Sequence, residues 1–201
     1  MNLPNLYTKL IKDNKILDNL DGYCDVRLVE PYEIPVEYGC TSYEQTIVIA
    51  EDGSGGMYVL YGEGDPNSLP IIFLSSEGQV GSIADNFHQL ISLVVFYPYW
   101  SDLLKFSNGG SLSEMMKSEL LLAEDFEKEM NEEYRGDENY ESYKKFQKDM
   151  IQDFKLDTEK LIEKLQLSVG KSKNIKIVSN DGEELDSLYG EFKPTDNPFW
   201  K

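Results

Sequence analysis

Positive charge is scarce in this chain. Its 201 residues hold 19 lysines and arginines against 37 aspartates and glutamates, a formal net charge of −18. Histidine occurs once, as His88, and cysteine twice, as Cys24 and Cys40. Each shortage excludes something. Nucleic-acid affinity rests on Lys and Arg neutralising phosphates, so no nucleic-acid partner is expected. An anionic membrane surface would repel the chain. Its apolar runs, such as Leu90–Tyr99, fall short of the ~20 residues that span a bilayer, so no membrane association is expected. The opening residues Met1 to Pro4 lack the basic and apolar regions of a signal peptide, which points to a cytoplasmic protein. In that compartment the two cysteines are expected as free thiols; whether they lie close in space is left open.

Catalytic and ligand motifs are equally sparse. Two cysteines without CxxC spacing and one histidine provide no zinc-type cluster, so neither metal nor cofactor is expected. His88 sits between Phe87 and Gln89 in an apolar run and reads as a satisfied histidine, because no partner motif accompanies it. No GK[ST] sequence exists for a P-loop. The run Gly53-Ser54-Gly55-Gly56-Met57-Tyr58 lacks the last glycine of GxGxxG and precedes a strand rather than a helix. A carboxylate pair such as Asp52 with Glu77 is weak support for hydrolysis in so acidic a chain. The chain is read as a non-enzyme, with a small-molecule enzyme as the remotest alternative.

The acidity is uneven. Between Arg27 and Lys105 lie 77 residues with no Lys or Arg and 11 carboxylates. Residues 111–142 carry a net −8 and residues 143–173 a net +3. The first block is either a solvated acidic surface or a face shaped for a basic partner.

Patterning predicts a helix over 3–20 stopping near Gly22, then loops and an extended segment over 23–46. A hairpin follows, with Thr46–Ala50 and Met57–Tyr61 flanking a glycine-rich turn, and a third, doubly buried strand over Leu69–Leu74. Ser82 is expected to open a helix through Ile83, Phe87, Leu90 and Val94 that Pro98 ends. An acidic helix over 111–135, with a capping box at Ser111 and Glu114, precedes a second over 139–167, the two pairing antiparallel. A strand at Lys176–Val178, a turn at Asn180–Gly182 and a docked aromatic tail through Phe192, Phe199 and Trp200 complete the expectation.

The order Ile47–Tyr58, Pro70–Phe73, Ser76-Glu77-Gly78, then Ile83-Ala84, Phe87 and Leu90 resembles the SUKH superfamily, which includes bacterial immunity proteins and a fungal cell-wall-assembly regulator. The segment Tyr97–Gly110 resembles some of its bacterial members. The resemblance implies an α+β fold, a twisted mixed β-sheet packed by helices, to which the patterning adds a C-terminal helical pair. The chain is read as a single domain over 1–201, with a core at about 23–112 and 173–201 and a helical hairpin, as an insertion or extension, at about 111–168. Members of the family are not known as enzymes, and many bind and neutralise a cognate toxin, often a nuclease. An acidic inhibitor would suit a nuclease's basic surface. The expected function is therefore toxin neutralisation through a basic protein partner; the alternative is a regulatory or scaffold protein of the same fold with an endogenous partner. The expected contacts are Glu51, Asp52, Glu63, Asp65 and Glu77 in the acidic turns, with Tyr58 and Tyr61 as aromatic anchors. Gly53, Gly55 and Gly56 are expected to serve the turn itself. The oligomeric state is unassigned.

Overall fold

The computed structural model describes residues 2–35, 39–133, 139–172, 175 and 177–190. The fold is α+β, as the sequence predicts. In chain order its elements are α1 (Asn5–Leu10), α2 (Asn14–Cys24), β1 (Arg27–Tyr32), β2 (Cys40–Ser42), β3 (Thr46–Glu51), β4 (Met57–Tyr61), β5 (Ile71–Leu74), β6 (Gln79–Ala84), α3 (Phe87–Phe96), α4 (Trp100–Lys105), α5 (Leu112–Glu133), α6 (Tyr140–Phe154), α7 (Leu161–Gly170), β7 (Ile177–Ser179) and β8 (Asp186–Ser187).

Six strands form one sheet in the order β1-β3-β4-β5-β6-β8, antiparallel except where β8 runs parallel to β6. The expected hairpin and third strand are its centre, and every residue of β4 and β5 is buried. One sheet face (Ile47, Tyr58, Leu60, Ile71, Phe73) packs on the helices. The other (Val48, Met57, Val59, Ile72, Leu74) packs with Cys40 and Ile177 of the small antiparallel β2–β7 sheet. Cys24 belongs to the first core and Cys40 to the second, so the two free thiols lie on opposite sides of the sheet.

Several elements differ from the sequence reading, each for a local reason. The N-terminal helix is two, because the Asp13 carboxylate caps a new start by accepting from the amides of Lys15 and Ile16. Gly22 lies inside α2, which ends instead at Asp25 in a left-handed conformation. The extended segment is two strands, and Pro31 is tolerated in β1 because that strand is a sheet edge. Ser82 and Ile83 lie in β6, and α3 opens only after Asn86, whose side chain accepts from the Gln89 amide. A bulge beside Ile83 sends both Ile83 and Ala84 to the helix-covered face, so strand residues and Phe87 together mimic a helical stripe.

The helix expected over 139–167 breaks after Phe154, with Lys155 and Lys160 left-handed. Its second part, α7, packs along β6, and the Ser172 hydroxyl accepts from the Ser82 amide. Only half of the capping box forms. Ser111 Oγ accepts from the Glu114 amide, while the Ser111 amide donates to Ser107 and Glu114 pairs with Lys117. α5 and α6 do pair, with the Phe126 and Tyr143 rings 5.1 Å apart between them. Phe192, Phe199 and Trp200 lie outside the described residues.

Behind β8 the chain is pinned to α4. The Gly190 amide donates to Leu104 and its carbonyl accepts from Gly109. A Cβ at Gly190 would stand 2.2 Å from the Lys105 carbonyl oxygen, which is backbone and cannot swing aside. Gly190→Ala is therefore expected to lower stability by about 1–3 kcal/mol, the usual cost of overpacking; thermal unfolding monitored by circular dichroism measures it.

Candidate functional site: an acidic cleft at one end of the sheet

Strand register sorts the acidic turns. Glu51 pairs with Met57, Met57 with Leu74 and Gln79 with Asp186, so Asp52, Glu77 and Asp186 share one end of the sheet. Glu63 and Asp65 lie in the β4–β5 connection at the opposite end, where Thr46 pairs with Tyr61. Four residues of strand separate the ends, about 13 Å at ~3.3 Å per residue. The expected patch is thus two separate regions. Asp65 is also occupied locally, accepting from the amide and side chain of Asn67, which hold its carboxyl below its ordinary value.

At the first end, the sheet edge, α4 and the segment after β8 enclose a cleft of about 700 Å³. Its described lining includes five carboxylates (Asp25, Asp52, Glu77, Asp102 and Asp186) and one cation, Lys105. Tyr58, Phe73 and Trp100 line its floor, with ring centroids 4.9 to 6.2 Å apart.

Local chemistry explains why the turn takes this shape. Asp52 Oδ1 accepts from the amides of Ser54 (2.9 Å) and Gly56 (2.7 Å) and from the Ser54 hydroxyl (2.8 Å), folding the turn around one carboxylate. Gly55 has φ +89°, a conformation that disfavours other residues. A Cβ on Gly56 would meet the Phe73 ring at 2.4 Å, and one on Gly53 would meet the Asp25 carboxylate at 2.9 Å. The Asp25 carboxylate accepts from the Gly53 amide (2.7 Å), tying the end of α2 to the turn.

Not every expected contact is available. Glu51 is spent internally, accepting from Arg27 (2.6 Å) and from the Tyr32 hydroxyl. Those two donors hold its carboxyl below the ordinary value, Tyr32 contributing most. Tyr58 is 2% exposed and Tyr61 9%, and they pack in opposite cores, so neither is a surface anchor. Burial, with the nearby Asp52 charge, keeps the Tyr58 hydroxyl protonated. Sequence reasoning did not single out Asp25, Asp102, Asp186 and Trp100. Asp25 and Asp186 lie outside the 77-residue run that drew attention, and nothing local marks where the chain would bring them.

Among the described residues the cleft has an excess of negative charge, five carboxylates to one lysine. Burial raises the carboxyl of Asp102, against a lowering by Lys105. Burial also raises that of Asp25, with the Gly53 amide opposing and the charges of Asp52 and Asp21 adding. The Lys105 ammonium is 3.8 Å from Asp102, and both side chains are about half exposed. Such a pair contributes only ~0–1 kcal/mol. Among the described residues no group of three or more His, Cys, Asp or Glu side chains is placed to hold a metal ion. His88 lies elsewhere, bonded to the Phe154 carbonyl at 3.2 Å.

No family model, no curated protein and no solved structure matches this chain.

A carboxyl raised on folding favours the fold in its protonated form. That contribution is complete below the unfolded value and is lost as pH rises through the folded one. Asp102→Asn is therefore expected to raise the melting temperature near neutral pH. The gain should shrink as pH falls through the carboxylate range, and melting curves of both proteins across pH measure the difference.

Proposed function

We infer that the protein is a non-enzymatic binding protein of the immunity type, whose acidic cleft receives a basic segment of a cognate toxin. The observation that carries this reading is the convergence of five carboxylates from five separate stretches of chain on one cleft, with a single lysine among its described lining residues. Burial raises two of these carboxyls, Asp25 and Asp102, so their surroundings disfavour the charged form. Binding sites are commonly kept at some cost to stability. A Lys- or Arg-rich surface offered to the cleft would relieve that cost and be steered to it by long-range attraction. The SUKH-like order of motifs across residues 45–112 supports the same reading; the toxins that this family neutralises are often nucleases. Among the described residues no helix is long and apolar enough to cross a membrane, which is compatible with a partner met in solution.

The opposite end of the sheet provides the control. Asp52→Lys with Glu77→Lys reverses two charges at the cleft, and Glu63→Lys with Asp65→Lys reverses two on the far turn. In pull-downs from the native cell at low and raised salt, the wild type should capture a basic protein that salt releases. The cleft variant should retain at least about tenfold less, as expected when desolvated charge contacts are inverted, and the far variant nearly all of it. Equal losses would leave general charge attraction alone and overturn the cleft as the site. A captured partner without toxic activity would replace immunity with a regulatory role.

A further inference from the structure

A second cavity, of about 230 Å³, lies among α3, α5, α6 and the Tyr97–Tyr99 connection. Its walls are mostly aromatic. Phe96, Tyr97, Tyr99, Phe126 and Tyr140 are each partly exposed, whereas the rings on the floor of the acidic cleft are buried. Tyr143 closes the back, its hydroxyl donating to the Val95 carbonyl (2.9 Å) beside Gln147 Nε2, which donates to the same oxygen (3.1 Å). Successive rings are turned across one another. Tyr97 and Tyr99 lie 6.0 Å apart at 77°, Tyr99 and Phe126 5.9 Å apart at 54°, and Phe126 and Tyr143 5.1 Å apart at 74°. The rings thus meet edge to face or tilted and border the space from several directions.

One carboxylate, Glu119 of α5, lines the same cavity. It is half-buried, and among the described residues it accepts no hydrogen bond and makes no ion pair. Burial raises its carboxyl, and burial first, with the Glu119 charge adding, raises the phenols of Tyr97 and Tyr99. A cation already stands at the lip: Lys144 Nζ lies 6.0 Å from the ring centroids of both Tyr140 and Tyr143 and donates to Gln147.

We propose that this cavity binds a methylated ammonium headgroup, with the rings packing on its methyl groups and Glu119 supplying the countercharge. Aromatic faces attract cations through their quadrupoles, most strongly when the cation is weakly hydrated. A trimethylammonium has no N–H donor to satisfy and can rest on ring faces alone, whereas a bare ammonium needs three acceptors. The space is below the ~300–1,000 Å³ of pockets that hold whole drug-sized ligands, so it admits a headgroup whose remainder projects outward. The acidic helix α5, which supplies Glu119 and Phe126 to the cavity, favours the approach of a cation. The site is independent of the acidic cleft, and neither reading depends on the other.

Choline titrated into the full chain and followed by NMR is expected to shift resonances of the cage tyrosines and Phe126. The neutral carbon isostere 3,3-dimethyl-1-butanol should bind at least about fivefold more weakly, because it keeps the shape and loses the charge. Glu119→Gln should weaken choline binding without lowering the melting temperature, since burial already disfavours the charged carboxylate, and Tyr99→Ala should abolish it. Because Tyr99→Ala also removes packing, Glu119→Gln and the isostere decide the matter where that variant folds poorly. A peptide carrying trimethyllysine, run in parallel, separates the sources. Tighter binding than choline places the headgroup on a protein, and equal or weaker binding places it on a small molecule. No response to either ligand, equal binding of choline and its isostere, or full binding by Glu119→Gln overturns the proposal.

Discussion

The structure depends on burying the centre of its sheet from both sides. β4 and β5 expose no residue, so apolar side chains alternate into two cores rather than one. Burying a large apolar side chain stabilises by ~1.5–3 kcal/mol. Leaving either face open would therefore forfeit several such terms at once. The helices cover one face, and the other needs the short β2–β7 sheet, built from segments 135 or more residues apart in the chain. The long return of the C-terminal segment to pair with β2 and β6 follows from that requirement.

The same topology sets where the charge can go. Carboxylates cannot enter either core, and an antiparallel meander delivers its turns alternately to opposite ends. Half of the acidic connections must therefore arrive at one end, where α2 also ends, β8 begins and α4 lines the cleft. Glu51 shows the limit of this argument: it is at the favoured end, yet Arg27 and Tyr32 consume it in holding the edge strand β1. Acid content alone does not decide availability; the presence of a partner one strand away does.

Short continuous apolar runs bounded by glycine- and proline-containing turns were legible in the sequence, which is why β3, β4 and β5 appear where patterning puts them. The failures share a cause. At Ile83 a bulge shifted the strand's period towards a helical one. At Asp13 and at Lys155 single residues interrupted helices whose apolar stripes continued across the break. Periodicity reports which side chains are buried, not whether the backbone between them is continuous. The candidate site was legible as turns, through Asp52 and Glu77, but not as a cleft. Asp25, Trp100, Asp102 and Asp186 join it by tertiary packing that no local pattern encodes, and the assignment of Tyr58 and Tyr61 to the surface overlooked that this sheet is covered on both faces.

The two cysteines stand on opposite sides of the sheet, one in each core, and burial raises both thiols. They are therefore built-in reporters of separate openings. A thiol reagent reaching Cys24 records the helical layer lifting, and one reaching Cys40 records the small sheet peeling away. The ratio of the two labelling rates reads out which cover of the sheet is the looser, without adding a probe to the molecule.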